Sequence, residues 1–311
     1  MQISYTRDRD ISFILLKLLK MKVIVVGANG QLGSCVIKEL KKRNIDSISI
    51  DVIGDVDYSL DVTNYNSSFD LIEKLKPDAI INCAAWTNVD AAEDENNKDK
   101  VYALNVTIPK NLSLISKKLN CKLMQISTDY VFDGTGNIPW KPDNNNYNPI
   151  SYYGQTKLLA ELEVAKIEKY FIVRISWLFG GPISFINTMI KIGKVYPEVK
   201  VVNDQIGTPT YSYDLARLLV DMIQTEKYGY YHATNEGGYI SWYDFCKEIY
   251  KQVHYSTIVT PVSTKEYGLS KAKRPLNSRL DKSKLQENGF IALPDWKDAL
   301  IRYLNASDYG K

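Results

Sequence analysis

At 311 residues the chain is long enough to bury one large α/β core or two unequal lobes, and a hydrophobic fraction of 45% excludes a disordered polymer. The formal net charge of +3 is spread thinly, without the dense Lys/Arg run of a nucleic-acid groove. Cys35, Cys83, Cys121 and Cys246 form no C-x-x-C pair, and His232 and His254 have no metal-ligand spacing, so a metal-free cytoplasmic protein without a disulfide framework is expected.

In chain order, residues 1–20 stand apart. The apolar run 11–19 is interrupted by Lys17 and falls short of the roughly 20 residues a membrane span needs. Asp8 and Asp10 accompany Arg7 and Arg9, and no small-residue cleavage site follows, so a secretory signal is not expected. The segment reads as an upstream extension of unknown role, or a misplaced start, ahead of Met21. A short amphipathic helix lying on the domain is the other reading.

From Met21 on, apolar runs alternate with helical patterns. Strands are expected at 22–26, 47–50, 79–82, 123–127 and 171–176, and helices at 31–42, 65–75, 98–119 with a kink at Pro109, and 152–169. Such alternation predicts a doubly wound parallel sheet with helices on both faces. Beyond Gly180 the rhythm changes to strands at 199–203 and 229–233 and helices at 212–225 and 242–253, which suggests a smaller lobe partly woven onto the sheet.

The turn after the first strand carries glycines at 27, 30 and 33. Gly27 allows the tight turn, Gly30 leaves room for a pyrophosphate, and Gly33 lets the following helix pack close to the strand. Free N–H groups at that helix start attract phosphate. The G-x-x-G-x-x-G spacing, between a strand and a helix, points to a Rossmann-like NAD(P) site of the short-chain dehydrogenase type. Asp51, ending the second strand, can accept hydrogen bonds from the adenosine ribose and would repel a 2′-phosphate, so NADH is slightly preferred over NADPH. Asp61 and Val62 should flank the adenine, and Ala84, Ala85 and Trp86 should pass beneath the cofactor. The parts are then the extension (1–20), an NAD(P)-binding domain (21–180) and a mainly substrate-binding lobe (181–311).

A Tyr-x-x-x-Lys pair puts both side chains on one helix face, where the ammonium is expected to lower the phenol pKa from about 10. Tyr153/Lys157, Tyr196/Lys200, Tyr243/Lys247 and Tyr267/Lys271 all match. Pro197 breaks the second, Gly268 falls in the fourth, and the third lies beyond the nucleotide half. Tyr153/Lys157 opens the helix after the fourth strand, whose end carries Thr128. Ligands of open parallel sheets bind at the carboxyl ends of strands, so Thr128 should stand beside Tyr153.

In sequence order, GANGQLG (27–33), NCAAWTNVDAAE (82–93), STDYVFDG (127–134), GNIPW (136–140), YYGQTKLLAE (152–161), RISWLFG (174–180), NDQIGTPT (203–210) and RPLNSRLD (274–281) together resemble the dTDP-4-dehydrorhamnose reductase family, from Met21 to about Leu304. The resemblance implies hydride delivery to the C4 keto group of dTDP-4-dehydro-β-L-rhamnose, with Thr128, Tyr153 and Lys157 catalytic and Tyr153 the proton donor. It implies substrate contacts at Thr128, Asp129 and Trp177. It assigns cofactor contacts to Gly27, Asn29, Gly30, Gln31, Leu32, Gly33, Asp51, Asp61, Val62, Ala84, Ala85, Trp86 and Thr87, together with Tyr153 and Lys157. Some members dimerise through magnesium held by a glutamate where this chain has Cys35, so a homodimer stays open but a magnesium-bridged one is not expected. Trp86 also departs from the Tyr or His of other members.

The partner expected is a nucleotide sugar, with neither nucleic acid nor membrane. A nucleotide-sugar dehydratase or epimerase on the same fold is the first alternative. A dehydratase would carry a second acid after Asp129, where this chain has Tyr130. A non-catalytic NAD(P)-binding subunit, similar to the regulatory β subunit of methionine adenosyltransferase, is the other.

Overall fold

The computed structural model describes residues 21–307; the extension expected over 1–20, and residues 308–311, lie outside the described residues. The first half runs β1 (Lys22–Val26), α1 (Gln31–Lys42), β2 (Asp46–Asp51), β3 (Tyr58–Ser59), α2 (Tyr65–Leu75), β4 (Ala79–Asn82), α3 (Lys98–Tyr102), α4 (Ile108–Leu119), β5 (Lys122–Thr128), α5 (Tyr152–Val164) and β6 (Tyr170–Ile175). The second half adds β7 (Leu178–Phe179), α6 (Phe185–Gly193), β8 (Glu198–Val202), β9 (Ile206–Gly207), β10 (Thr210–Tyr211), α7 (Ser212–Ile223), β11 (Gly229–His232), β12 (Ile240–Ser241), α8 (Trp242–Gln252) and β13 (Ile258–Val262). Three short helices follow: α9 (Thr264–Tyr267), α10 (Ser283–Glu287) and α11 (Trp296–Ala306).

Seven strands form one parallel sheet in the order β11-β6-β5-β4-β1-β2-β3. Strand order reverses between β1 and β4, and a crevice opens there at the carboxyl ends of the strands. The strands read as continuous apolar runs because both faces are covered. Val23, Val25, Ile81, Met124 and Val173 pack with α1 and α7 on one face, while Ile24, Val26, Ile80, Leu123 and Ile172 pack with α2 and α4 on the other. A second core, around Phe179, Ile190, Phe245, Trp296 and Leu300, holds the smaller lobe together.

Two expected helices differ from the structure. The 98–119 helix is interrupted by a π-helical turn at Ala103–Thr107, upstream of Pro109. Pro109 sits in the first turn of α4, where a missing N–H costs little. The 152–169 helix ends at Val164, because Ile167 folds into the core and the chain turns to enter β6. β13, which pairs in parallel with β8, had no distinct signal in the sequence.

Helix α5 is anchored by charge. Glu161 and Arg174 are both fully buried, and their side chains pair at 2.7 Å. Ser127 Oγ donates to Glu161 Oε1 at 2.5 Å, and Arg174 also donates to Tyr147 Oη and Pro142 O. Removing one partner strands an uncompensated charge in the core. Arg174→Ala should therefore lose about 3–5 kcal/mol of stability in urea denaturation, and the apolar pair Glu161→Leu with Arg174→Met should recover most of that loss.

Candidate active site

The glycine turn is shaped by close approach. Gly27 has φ +73°, and a Cβ there would lie 2.5 Å from Ala84 N, so the turn and the loop after β4 touch directly. A Cβ on Gly33 would fall 2.1 Å from Gly27 O, so α1 seats directly on the turn. Gly30 caps α1 without a side-chain hydrogen bond, which leaves N-terminal amides free for an anion. Gln31 Nε2 is buried without a partner among the described residues, and Leu32 is buried in the core. An open cleft of about 370 Å³ runs beside this turn, lined by Asn29, Gly30, Gln31, Lys38, Gly180 and Ile183 among others.

At the end of β2 the Asp51 carboxylate accepts from Asn29 N at 3.0 Å and Val52 N at 2.7 Å, which brings the acid against the turn. Asp61 accepts from Thr63 N and Oγ1, and the carbonyl of buried Val62 accepts from Asn111 Nδ2. Beyond β4, Ala84 N donates to Asn82 Oδ1, Ala85 is half-buried and Thr87 is exposed. The cradle that a Cβ would fill, the free amides of α1 and the unpartnered Gln31 amide fit a dinucleotide.

Trp86 is held by a residue that sequence reasoning missed. Asn105, fully buried in the π-helical turn, accepts from Trp86 N at 2.8 Å and donates to Trp86 O at 3.3 Å. Its Nδ2 also donates to Thr156 Oγ1, and Thr156 donates to Tyr153 O. The loop under the cofactor cleft is thereby tied to the Tyr153 helix. π-turns cluster at functional sites, but they depend on backbone strain that no local pattern announces.

Thr128 ends β5, and Tyr153 starts α5 behind the Ser151 cap. Burial pushes the Tyr153 phenol above its ordinary value, with the neighbouring Thr128 hydroxyl offsetting part of the rise. This corrects the expected lowering by Lys157. Lys157 Nζ donates instead to Ile126 O at 2.7 Å, and burial pulls the amine down to about 8 against the opposing charge of Glu161. It is still mostly protonated at neutral pH. Asp129 is 1% exposed; its Oδ1 accepts from Thr128 Oγ1, while Oδ2 has no partner among the described residues. Burial lifts its carboxyl to about 6, with the Ser278 and Thr128 hydroxyls opposing. Tyr130 stands edge-on to Tyr153, and its hydroxyl accepts from Arg274, which pairs with Asp90 at 2.5 Å. The position after Asp129 therefore holds a phenol engaged by an arginine.

Trp177, just past β6, has φ +49° and stacks on Trp242 with ring centroids 3.8 Å apart. The other three Tyr-x-x-x-Lys matches lie elsewhere. Tyr196 and Lys200 straddle the start of β8, Lys247 covers the Tyr243 ring on α8, and Tyr267 ends the short α9. Cys35 is buried on α1 with Sγ 3.4 Å from Ser212 Oγ, and burial raises its thiol pKa. Among the described residues no helix is long and apolar enough to cross a membrane.

A Rossmann sheet of this order, with a glycine turn at the carboxyl end of β1 and Thr128 at the carboxyl end of β5 beside Tyr153, places the chain among NAD(P)-dependent oxidoreductases. The family model described as RmlD substrate binding domain matches residues 21–309, and the chain belongs to that family, the dTDP-4-dehydrorhamnose reductases. It is 37% identical over 294 residues to the dTDP-4-dehydrorhamnose reductase of Aggregatibacter actinomycetemcomitans, covering 90% of this chain and 97% of that one. It is 35% identical over 285 residues to the spore coat polysaccharide biosynthesis protein SpsK of Bacillus subtilis, covering 91% and 96%. The crystal structure of dTDP-4-dehydrorhamnose reductase from Bacillus anthracis in complex with NADP superposes with a TM-score of 0.85 at 38% identity, covering 93% of this chain and all 100% of that one.

The raised Asp129 carboxyl has a consequence for stability. Its folded pKa of about 6 lies above the unfolded value, so its contribution is fully present below about pH 4 and is lost as pH rises through 6. Asp129→Asn should therefore raise stability above pH 7 by up to about 3 kcal/mol and give no gain below about pH 4. Urea denaturation across that pH range measures the difference.

Proposed function

We propose that the protein reduces the C4 keto group of dTDP-4-dehydro-β-L-rhamnose to give dTDP-L-rhamnose, with NADH or NADPH as reductant and Tyr153 as proton donor. The observation that carries this reading is the Thr128 hydroxyl facing the Tyr153 phenol at the carboxyl end of β5, with the Lys157 amine buried one turn further along α5. Family membership supplies the substrate class.

The bound reduced nicotinamide supplies the hydride. Gly27, Asn29, Gly30, Gln31, Leu32 and Gly33 would hold the pyrophosphate, Asp51 the adenosine ribose, Asp61 and Val62 the adenine, and Ala84, Ala85, Trp86 and Thr87 the face of the cofactor. Thr128 and Tyr153 hold the substrate carbonyl oxygen between their hydroxyls. Burial keeps Tyr153 neutral at working pH, so it carries a proton to give as charge builds on that oxygen. The protonated Lys157, one helical turn further along α5, would stabilise the phenolate left behind until a proton from solvent restores the phenol. Asp129, with one free carboxyl oxygen, and the Trp177 indole would orient the sugar. The Asp51 carboxylate favours NADH slightly by repelling a 2′-phosphate.

Purified protein should oxidise NADH or NADPH when supplied with dTDP-4-dehydro-L-rhamnose, followed at the reduced-nicotinamide absorbance; absence of turnover with both reductants contradicts the assignment. Tyr153→Phe should leave cofactor binding nearly intact by calorimetry while lowering kcat by at least about a hundredfold. Asp51→Ala should move the ratio of kcat/KM toward NADPH, and an unchanged ratio removes Asp51 from that role.

A further inference from the structure

Trp177 holds a left-handed backbone conformation that a non-glycine residue adopts only when its surroundings force it. The backbone around it is clamped. Ser176 Oγ donates to Thr208 O, Thr210 Oγ1 donates to Ser176 O, and Thr210 N donates to Trp177 O at 3.1 Å. On one side the indole stacks on Trp242 with 17° between the planes. Trp242 is itself fixed as the first residue of α8, behind the Ser241/Asp244 capping box and against Phe185 at 4.5 Å. Gly207 lies close against the same ring, where a Cβ would sit 2.9 Å from Trp177 Cε2 and 3.0 Å from Ser278 Cβ. Ser278 in turn faces Asp129. A continuous wall thus runs from Tyr153 through Thr128, Asp129 and Ser278 to the two indoles.

We propose that Trp242 and Gly207 together set the orientation of the Trp177 indole, which makes Trp242 a positioning residue for the sugar-binding wall and Gly207 the space that wall requires. The proposal rests on the reading of Trp177 as a sugar contact. Trp242 packs under a rigid aromatic face, so its removal frees the Trp177 side chain to leave a strained conformation. Substrate binding suffers, while the reacting groups on β5 and α5 stay where they are.

The test uses the full chain with dTDP-4-dehydro-L-rhamnose. Trp242→Ala should raise the sugar-nucleotide KM by about tenfold with kcat within about threefold, and Trp242→Phe should restore KM toward the original value. The KM for the reduced nicotinamide should not move. Gly207→Ala keeps both indoles and presses a methyl group on the Trp177 ring. It should raise the same KM and weaken the exciton couplet of the stacked indoles in far-ultraviolet circular dichroism. Should Trp242→Ala fail to fold, Gly207→Ala decides the matter, and an unchanged couplet with an unchanged sugar KM overturns the proposal. Trp177→Leu separates the two readings. If it leaves the sugar KM unchanged, Trp177 is not a sugar contact. If it raises KM while folded Trp242→Ala and Gly207→Ala do not, only the positioning proposal fails.

Discussion

The Glu161–Arg174 pair is the constraint on which the site depends. A salt bridge with both side chains fully buried is poor evidence of net stability, because desolvating two charges costs about as much as their attraction returns. Its contribution is register. Glu161 grips Ser127 on β5 while Arg174 projects from β6, and four residues earlier on the same helix Lys157 grips the Ile126 carbonyl. Helix α5 cannot slide along β5 without breaking both bonds. The separation of Thr128, next along the strand, from Tyr153, one turn earlier on the helix, is thereby fixed.

That burial also sets the chemistry. The low-dielectric layer around the ion pair shifts the neighbouring ionisable groups in directions fixed by their charge: Tyr153 and Asp129 upward, Lys157 downward. A phenol kept neutral is a proton source, and a nearby amine with a pKa of about 8 is still mostly charged at neutral pH. The lowering of the Tyr153 phenol expected from the sequence is therefore wrong in its electrostatics. Helical spacing suggested Lys157 as the charge acting on Tyr153, yet spacing carries no information about how much water the fold removes, and desolvation is the largest influence on the phenol here.

The cofactor half of the cleft was legible because its signals are local. Gly27, Gly30 and Gly33 lie within one turn and one helix start, and the strand runs on either side need no distant partner to be recognised. Only one of four Tyr-x-x-x-Lys matches survived, because proline, glycine and strand order are also local signals. What escaped depends on residues far apart in sequence. Asn105 reaches back 19 positions to Trp86, and the π-turn that presents it replaced a kink expected at Pro109. Gly207 and Ser278 look like ordinary loop residues until the fold sets one against the Trp177 ring and the other against Asp129. The positive φ of Trp177 breaks a local rule, and only the tertiary clamp around its backbone shows why it is held there.

The same division shapes how the substrate side is assembled. Residues from the C-terminal segment return to the first half: Arg274 pairs with Asp90 and donates to Tyr130, Asn277 N donates to Gly134 O, and Trp140 N donates to Arg279 O. These bonds span more than a hundred residues and carry loop-closure entropy that local turns avoid. The bonds that place Thr128, Tyr153 and Lys157 are separate from these, since they run from Glu161 and Lys157 on α5 to β5 in the core.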